Sequence, residues 1–287
     1  MSHPQIAAFA RLAEGGTPPT RKIEGQKTLL GRTMHSLAYD EIHDEIVAPQ
    51  PYAQAILTFR GEANGQEPPL RKIQGPLTQM GFGSGDVPDQ IAIDPVNNEI
   101  YVANGDKLLV FSRLANGNVP PIRVLKGPDA MRSVSKVAID PLHNLLLMTG
   151  TPVGGGGGAI IIFPRTAEGN TRPLGIIQGP KTSMGGNSRI YVYPPRGMVI
   201  VAGQVEGPKL AGLEDAEGGA EMANDRGFVG AWSIYDRGDV PPRWMIGGPK
   251  GIMLQIRGVA LDPKNKTVMI SDKRLNAVAT FSFPEIF

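Results

Sequence analysis

The chain has 287 residues, of which 41% are hydrophobic, 20% charged and 6% aromatic, a balance that supports a buried core and excludes a disordered chain. A net charge of +2 with no Lys/Arg cluster excludes a nucleic-acid partner, and the absence of cysteine excludes disulfides, thiolate nucleophiles and Cys-ligated zinc. No apolar run reaches the 18 residues of a membrane span, and the start MSHPQIAAFARLAEGG is not a signal peptide, so the compartment stays open.

Taken in chain order, the sequence repeats itself. IAAFARLAEGGTPPTRKIEG at 6–25 predicts two short strands, Ile6–Phe9 and Arg21–Glu24. LAYDEIHDEIVAP at 37–49 predicts a hairpin, and ILTFRGEANGQEPPLRKIQGP at 56–76 repeats the first block. The alternation continues with AIDPVNNEIYVANG at 92–105, LLVFSRLANGNVPPIRVLKGP at 108–128, VAIDPLHNLLLMTG at 137–150 and IIIFPRTAEGNTRPLGIIQGP at 160–180. It closes with IYVYPPRGMVIVAG at 190–203, WSIYDRGDVPPRWMIGGP at 232–249, VALDPKNKTVMISD at 259–272 and a last strand at Ala277–Phe283.

Matching glycines set the period. Gly25, Gly75, Gly127 and Gly179 stand 50, 52 and 52 residues apart, and Gly248 follows 69 later because of one insertion. Each period holds four apolar runs, as in Ile91–Asp94, Glu99–Ala103, Leu108–Phe111 and Arg123–Lys126. Four strands per unit of this length predict an all-β fold, a β-propeller of four-stranded antiparallel blades, as one domain over 1–287. Strand a of a blade occurs five times, near Leu37, Ile91, Val137, Ile190 and Val259, so five blades are expected. A six-bladed ring is the alternative, although no sixth strand a is visible. The N-terminal d strand is expected to pair with the C-terminal blade and close the ring, which leaves one c-like strand surplus. A second chain pairing with that surplus strand would make a dimer; otherwise a monomer is expected.

The motifs F-x-R-x-A-x-G-N-x-x-P, I-x-G-P-x-T and I-A-I-D-P-x-x-N-x-I-Y-V-A-N resemble those of NHL-like and YVTN-like bacterial propeller repeats, from residue 6 to 283 apart from the insertion. That resemblance implies architecture and leaves activity open, because such propellers include scaffolds, ligand binders, lactonases and lyases. Residues that recur in every blade are expected to serve the fold. Asp40, Asp94, Asp140 and Asp262 should accept hydrogen bonds from their own turns, and His43 and His143 in two of those turns do not make a metal site. Phe9, Phe59, Phe111, Phe163, Tyr235 and Phe281 are read as one packing position, and Leu30, Met80, Met131, Met184 and Met253 as another.

Function is expected where the repeat breaks, on the face where strand a begins. Arg32, His35, Asp89, Arg132, Lys136, Arg189 and Arg257 should line the mouth of the axial funnel, a basic set suited to a small anionic ligand or a protein partner. The acidic insertion 204–228 in the fourth blade is expected to project from the same face, and its composition fits a lid and a disordered loop equally. The resemblance also implies gluconolactonase-type sites with a divalent metal on acidic and Asn ligands; Asp86, Asp89 and Asn187 are the candidates here, so no cofactor is expected beyond a possible divalent ion. A metal-free lyase would need His35 as its base. A non-catalytic binder is therefore the primary reading, with a propeller hydrolase, lactonase or lyase as the alternative. A lectin-like sugar binder ranks third, because Trp232 and Trp244 do not repeat.

Overall fold

The structure is a computed structural model that describes residues 4–32, 34–81, 90–155, 158–185, 188–205, 226–248 and 251–287. The fold is an all-β, five-bladed β-propeller of antiparallel sheets with almost no helix. Two compact units divide the chain, Met1–Val124 and Leu125–Phe287.

The first unit begins with β1 (Gln5–Ala8) and β2 (Arg21–Glu24), which pair with each other as a two-stranded sheet. Blade one follows as β3 (Ala38–Asp40), β4 (Glu45–Gln50), β5 (Ala55–Arg60) and β6 (Arg71–Gln74), hydrogen-bonded in that order. Blade two is β7 (Gln90–Asp94), β8 (Glu99–Asn104), β9 (Lys107–Ser112) and β10 (Arg123–Leu125). The second unit holds blade three as β11 (Ser133–Asp140), β12 (Leu145–Thr151), β13 (Ala159–Pro164) and β14 (Gly175–Ile177). Blade four is β15 (Arg189–Tyr193), β16 (Met198–Val205), β17 (Arg226–Ser233) and β18 (Trp244–Gly247). Blade five has three strands, β19 (Ile256–Asp262), β20 (Thr267–Asp272) and β21 (Ala277–Ser282).

Within the first unit β2 pairs with β1, a hairpin across the local loop 9–20, and within the second unit β19, β20 and β21 form one antiparallel sheet.

The repeated motifs now have physical roles. Asp94 Oδ1 accepts from the Asn97 backbone N–H at 2.9 Å while Oδ2 accepts from the Asn97 side chain at 2.8 Å. Asp40, Asp140 and Asp262 hold their own a–b turns in the same way. The fourth residue after that Asp closes the turn in the left-handed region: Asp44, Asn98, Asn144 and Lys266 all have positive φ, which explains the recurring Asn. His43 and His143 each bond the adjacent Asp through Nδ1 at 2.8 Å and belong to the turn.

The G-N block is an inter-blade staple. Glu24 N–H donates to Gly65 O at 3.0 Å and Gly65 N–H to Lys22 O at 2.7 Å, tying β2 to the c–d loop of blade one. Gly117 does the same for β6, and Gly238 for β14. These glycines have φ near +62°, +80° and +73°, which a side chain would strain. In the I-x-G-P-x-T block, the hydroxyls of Thr28, Thr78 and Thr182 donate to the carbonyl of the Gly three residues earlier, across a short 3-10 turn.

Blade-to-blade packing follows from side-chain alternation. Ile56, Ile73 and Val47 of blade one meet Ile91, Ile100, Leu109 and Phe111 of blade two. In the second unit, Leu147, Ile160 and Ile162 of blade three meet Val199, Val201, Phe228 and Trp232 of blade four. Strands buried on both faces read as continuous apolar runs rather than alternating ones. The expected Phe position needs one correction. Trp232 pairs with Val199 as Phe163 pairs with Leu146, so Trp232 fills that place in blade four, and Tyr235 lies three residues beyond it, 71% exposed. Phe9 is also exposed, whereas Phe59, Phe111 and Phe163 are buried. Leu30, Met80, Met184 and Met253 pack against the inter-blade clusters, as expected of a packing position.

Candidate functional site

The start of strand a and the end of strand b lie side by side in each blade. Across the five blades the a-starts are Ser36, Gln90, Lys136, Arg189 and Gly258; the b-ends are Gln50, Asn104, Gly150, Gly203 and Asp272. The registers Gln90↔Ala103, Lys136↔Thr149 and Arg189↔Ala202 establish the equivalence.

In the first unit these positions carry uncharged polar groups. Gln50 Oε1 accepts from Gly31 N–H at 2.5 Å, but its Nε2 is buried with no hydrogen-bond partner among the described residues. Ser36 Oγ, Gln90 Oε1 and Asn104 Oδ1 share that condition. Four buried polar atoms at two equivalent positions of neighbouring blades form a polar cradle, because such groups ordinarily find partners. Arg32 and His35, in the loop before β3, are both exposed.

In the second unit the same level is cationic. Lys136 and Arg189 are each 3% exposed, on β11 and β15, which pack against each other. A bulge between Val134 and Lys136 shifts the register of β11 just before Lys136. A second bulge between Ile256 and Gly258 makes Arg257 the extra residue of β19, half-buried. Bulges re-aim side chains and gather next to functional sites. Arg132 is exposed.

The residues around the two cations are held in place. Thr149 Oγ1 donates to Ser188 O at 2.9 Å, and Ser188 Oγ donates to Gly185 O at 3.0 Å. A Cβ on Gly203 would lie 2.7 Å from Ser188 Oγ, and one on Gly150 2.2 Å from Ser133 O. Asp272 accepts four backbone N–H bonds, from Leu254, Gln255, Arg274 and Leu275, at 2.7 to 3.1 Å. Burial pushes its carboxyl upward, but those four donors prevail and hold it below the ordinary carboxylate value. Asp272 is thus an ionised anchor of the blade-five loops.

Of the sequence-predicted residues, Lys136, Arg132, Arg189 and Arg257 fall in the second unit and Arg32 and His35 in the first. Asp86, Asp89, Asn187 and the core of the insertion, 206–225, lie outside the described residues. The chain leaves β16 at Val205 and returns on β17 at Arg226, and these two residues pair, so the insertion does join strands b and c of blade four. Among the described residues, no group of three or more His, Asp or Glu side chains is arranged to hold a metal ion. Sequence reasoning missed Gln50, Asn104 and Asp272, because only the a-starts were compared across blades. Aligning the b-ends as well would have exposed them.

No known protein-family model matches the chain. No curated protein matches it either. Among solved structures, the chain is similar to hydrazine synthase of Kuenenia stuttgartiensis at 14% identity and a TM-score of 0.59, over 93% of this chain and 68% of that one. The WD40 β-propeller domain of Doa1 aligns at 13% identity and a TM-score of 0.46, over 90% of this chain and 71% of that one. The likeness is one of fold. Among the described residues, no helix is long and apolar enough to cross a membrane.

Proposed function

We propose that the protein is a non-catalytic binding scaffold built on NHL-like or YVTN-like repeats, and that Lys136 and Arg189 receive a small ligand bearing a carboxylate or phosphate. The observation that carries this reading is the pair of cations buried at equivalent positions of two neighbouring innermost strands. Burying a cation is costly, and burying two side by side concentrates a positive potential in a low-dielectric wall. Arg supplies a planar fork suited to either anion, and Lys adds a point charge. The bulged Arg257 and the exposed Arg132 extend the basic surface of the second unit.

The test is thermal melting with inorganic phosphate and with citrate as probes, against chloride at equal ionic strength. A ligand that binds only the folded state raises the melting temperature by mass action. The expected result is a concentration-dependent rise with one of the two probes, lost in both Lys136→Met and Arg189→Met. A rise that survives both substitutions, or no rise with either probe, overturns the reading.

A further inference from the structure

We infer that the ligand of the anion site carries an aromatic ring next to its carboxylate or phosphate, and that Tyr191 is the residue that selects it. The inference rests on the reading of Arg189 as an anion receptor and names the class of ligand which that reading leaves open. Every residue it uses for the site lies in the second unit, where β15 packs against β11 and β19.

Tyr191 breaks the repeat. It stands two residues before the end of strand a, where the other four blades carry Ala38, Ala92, Ala138 and Ala260. The registers agree: Ala38↔Val47, Ala92↔Tyr101, Ala138↔Leu147 and Ala260↔Met269 are the pairs that match Tyr191↔Ile200. Alanine suits a place where neighbouring innermost strands pack closely, and a phenol ring overfills it.

The ring shares a face with Arg189. Side chains alternate along a strand. Ile190 and Val192 point one way and are buried with Ala138 and Leu147 of blade three. Arg189, Tyr191 and Tyr193 therefore form one row on the opposite face, toward blade five, and Tyr193 packs there with Val259 and Leu261. Two residues of extended chain separate Arg189 from Tyr191, about 7 Å. A ring attached to an anion held by Arg189 is thus within reach of the Tyr191 ring.

The two tyrosines of that row differ. Tyr193 replaces the Asp that ends strand a elsewhere, and its ring meets Phe287 edge-on, with centroids 5.1 Å apart and planes at 68°. Packing accounts for it. Tyr191 does not join that apolar cluster and is 40% exposed, although it lies on an innermost strand. The ring has left the seam and offers aromatic surface beside a guanidinium that is itself only 3% exposed. Aromatic rings favour offset or edge-on partners, and a guanidinium favours a planar or tetrahedral anion. A single ligand that meets both demands is an aromatic carboxylate or an aryl phosphate.

The experiment is calorimetric titration of the full chain with two matched pairs of probes, phenyl phosphate against methyl phosphate and benzoate against acetate. In at least one pair the ring-bearing member should bind about tenfold tighter than its partner. Tyr191→Ala, which restores the residue of the other blades, should bring the ring-bearing probe down to the affinity of its partner. Tyr191→Thr, a residue suited to strands, should do the same, whereas Tyr191→Phe should keep the preference. Thermal melting without ligand checks that each variant folds. Binding of methyl phosphate or acetate with no preference for a ring overturns this inference and leaves the anion site standing. A preference that survives both Tyr191→Ala and Tyr191→Thr overturns the assignment to Tyr191. Silence with all four probes overturns the anion reading and this inference with it.

Discussion

Glu45 offers a quantitative test of how the first unit is held together. Its Oε2 accepts from Arg71 at 2.5 Å and from Arg113 at 2.8 Å, so one carboxylate links strands b and d of blade one to the turn after β9 in blade two. Arg113 Nε also donates to Asn98 Oδ1 at 2.8 Å, and Glu45 and Arg113 are both buried. Glu45→Ala leaves the Arg113 guanidinium buried without its main counter-charge, a loss of about 3–5 kcal/mol for breaking one side of a buried pair. Glu45→Gln keeps an acceptor and should cost less, about 1–3 kcal/mol.

The assay is urea unfolding followed by two probes. Trp232 and Trp244 are the two tryptophans of the sequence and both lie in the second unit, so their fluorescence reports that unit, whereas far-ultraviolet circular dichroism reports both. The Glu45 substitutions should move the dichroism transition more than the fluorescence transition wherever the two units unfold separately. Dependence on pH supplies a second check. Burial raises the Glu45 pKa, but the hydrogen bonds and charges of Arg71 and Arg113 outweigh it and hold the carboxyl below its ordinary 4.5. A depressed pKa stabilises the fold above the unfolded value and loses that contribution as pH falls through the folded one. The gap between parent and Glu45→Gln should therefore be full at neutral pH and shrink in acid. A gap below about 1 kcal/mol for Glu45→Ala, or one independent of pH, refutes the network.

Two further outcomes follow from the packing. Trp232 is fully buried with its indole N–H on Val240 O at 3.1 Å, so Trp232→Ala should cost about 3–5 kcal/mol in the fluorescence transition still reported by Trp244. Asp272→Asn replaces the charge that gathers four backbone donors and should cost about 1–3 kcal/mol above pH 5, a penalty that fades in acid as the parent carboxyl protonates, checked by urea melts at two pH values.

Architecture was legible because a propeller repeats its constraints. The Asp that closes each a–b turn, the Asn at positive φ and the Gly of the staple each answer a backbone demand that recurs in every blade, so they recur in the sequence. The predicted strand Glu99–Ala103 differs from the observed β8 by one residue for the same reason. Pairing was less legible than strand position: the apolar pattern of Arg21–Glu24 states that it is a strand without stating that β1 is its neighbour within the first unit. Tyr235 was misassigned because WSIY offers two aromatics, and only the register with β16 shows that Trp232 is the one turned inward. The buried cations were visible as departures from the repeat, but their burial was not, since a lysine in a loop and a lysine at a bulged strand start read alike.

Those departures come in pairs, which separates compensation from accident. Blades one and two place Glu45 with Arg71 and Glu99 with Arg123; the same two positions are Leu145 and Gly175 in blade three, Met198 and Trp244 in blade four. Acid and base leave together, and Met198 and Trp244 share an apolar cluster in their place. At Gly175 the Arg237 side chain takes up the space a Cβ would need. The innermost level behaves likewise. Lys136 and Arg189 stand beside glycines 150 and 203, Ser36 and Gln90 beside Gln50 and Asn104, and Gly258 beside Asp272. A large cation on strand a thus coincides with no side chain on strand b, as close packing requires. Volume accounts for the glycines but not for the charge, since an apolar residue of equal size would fill the same space without the desolvation cost of a buried cation.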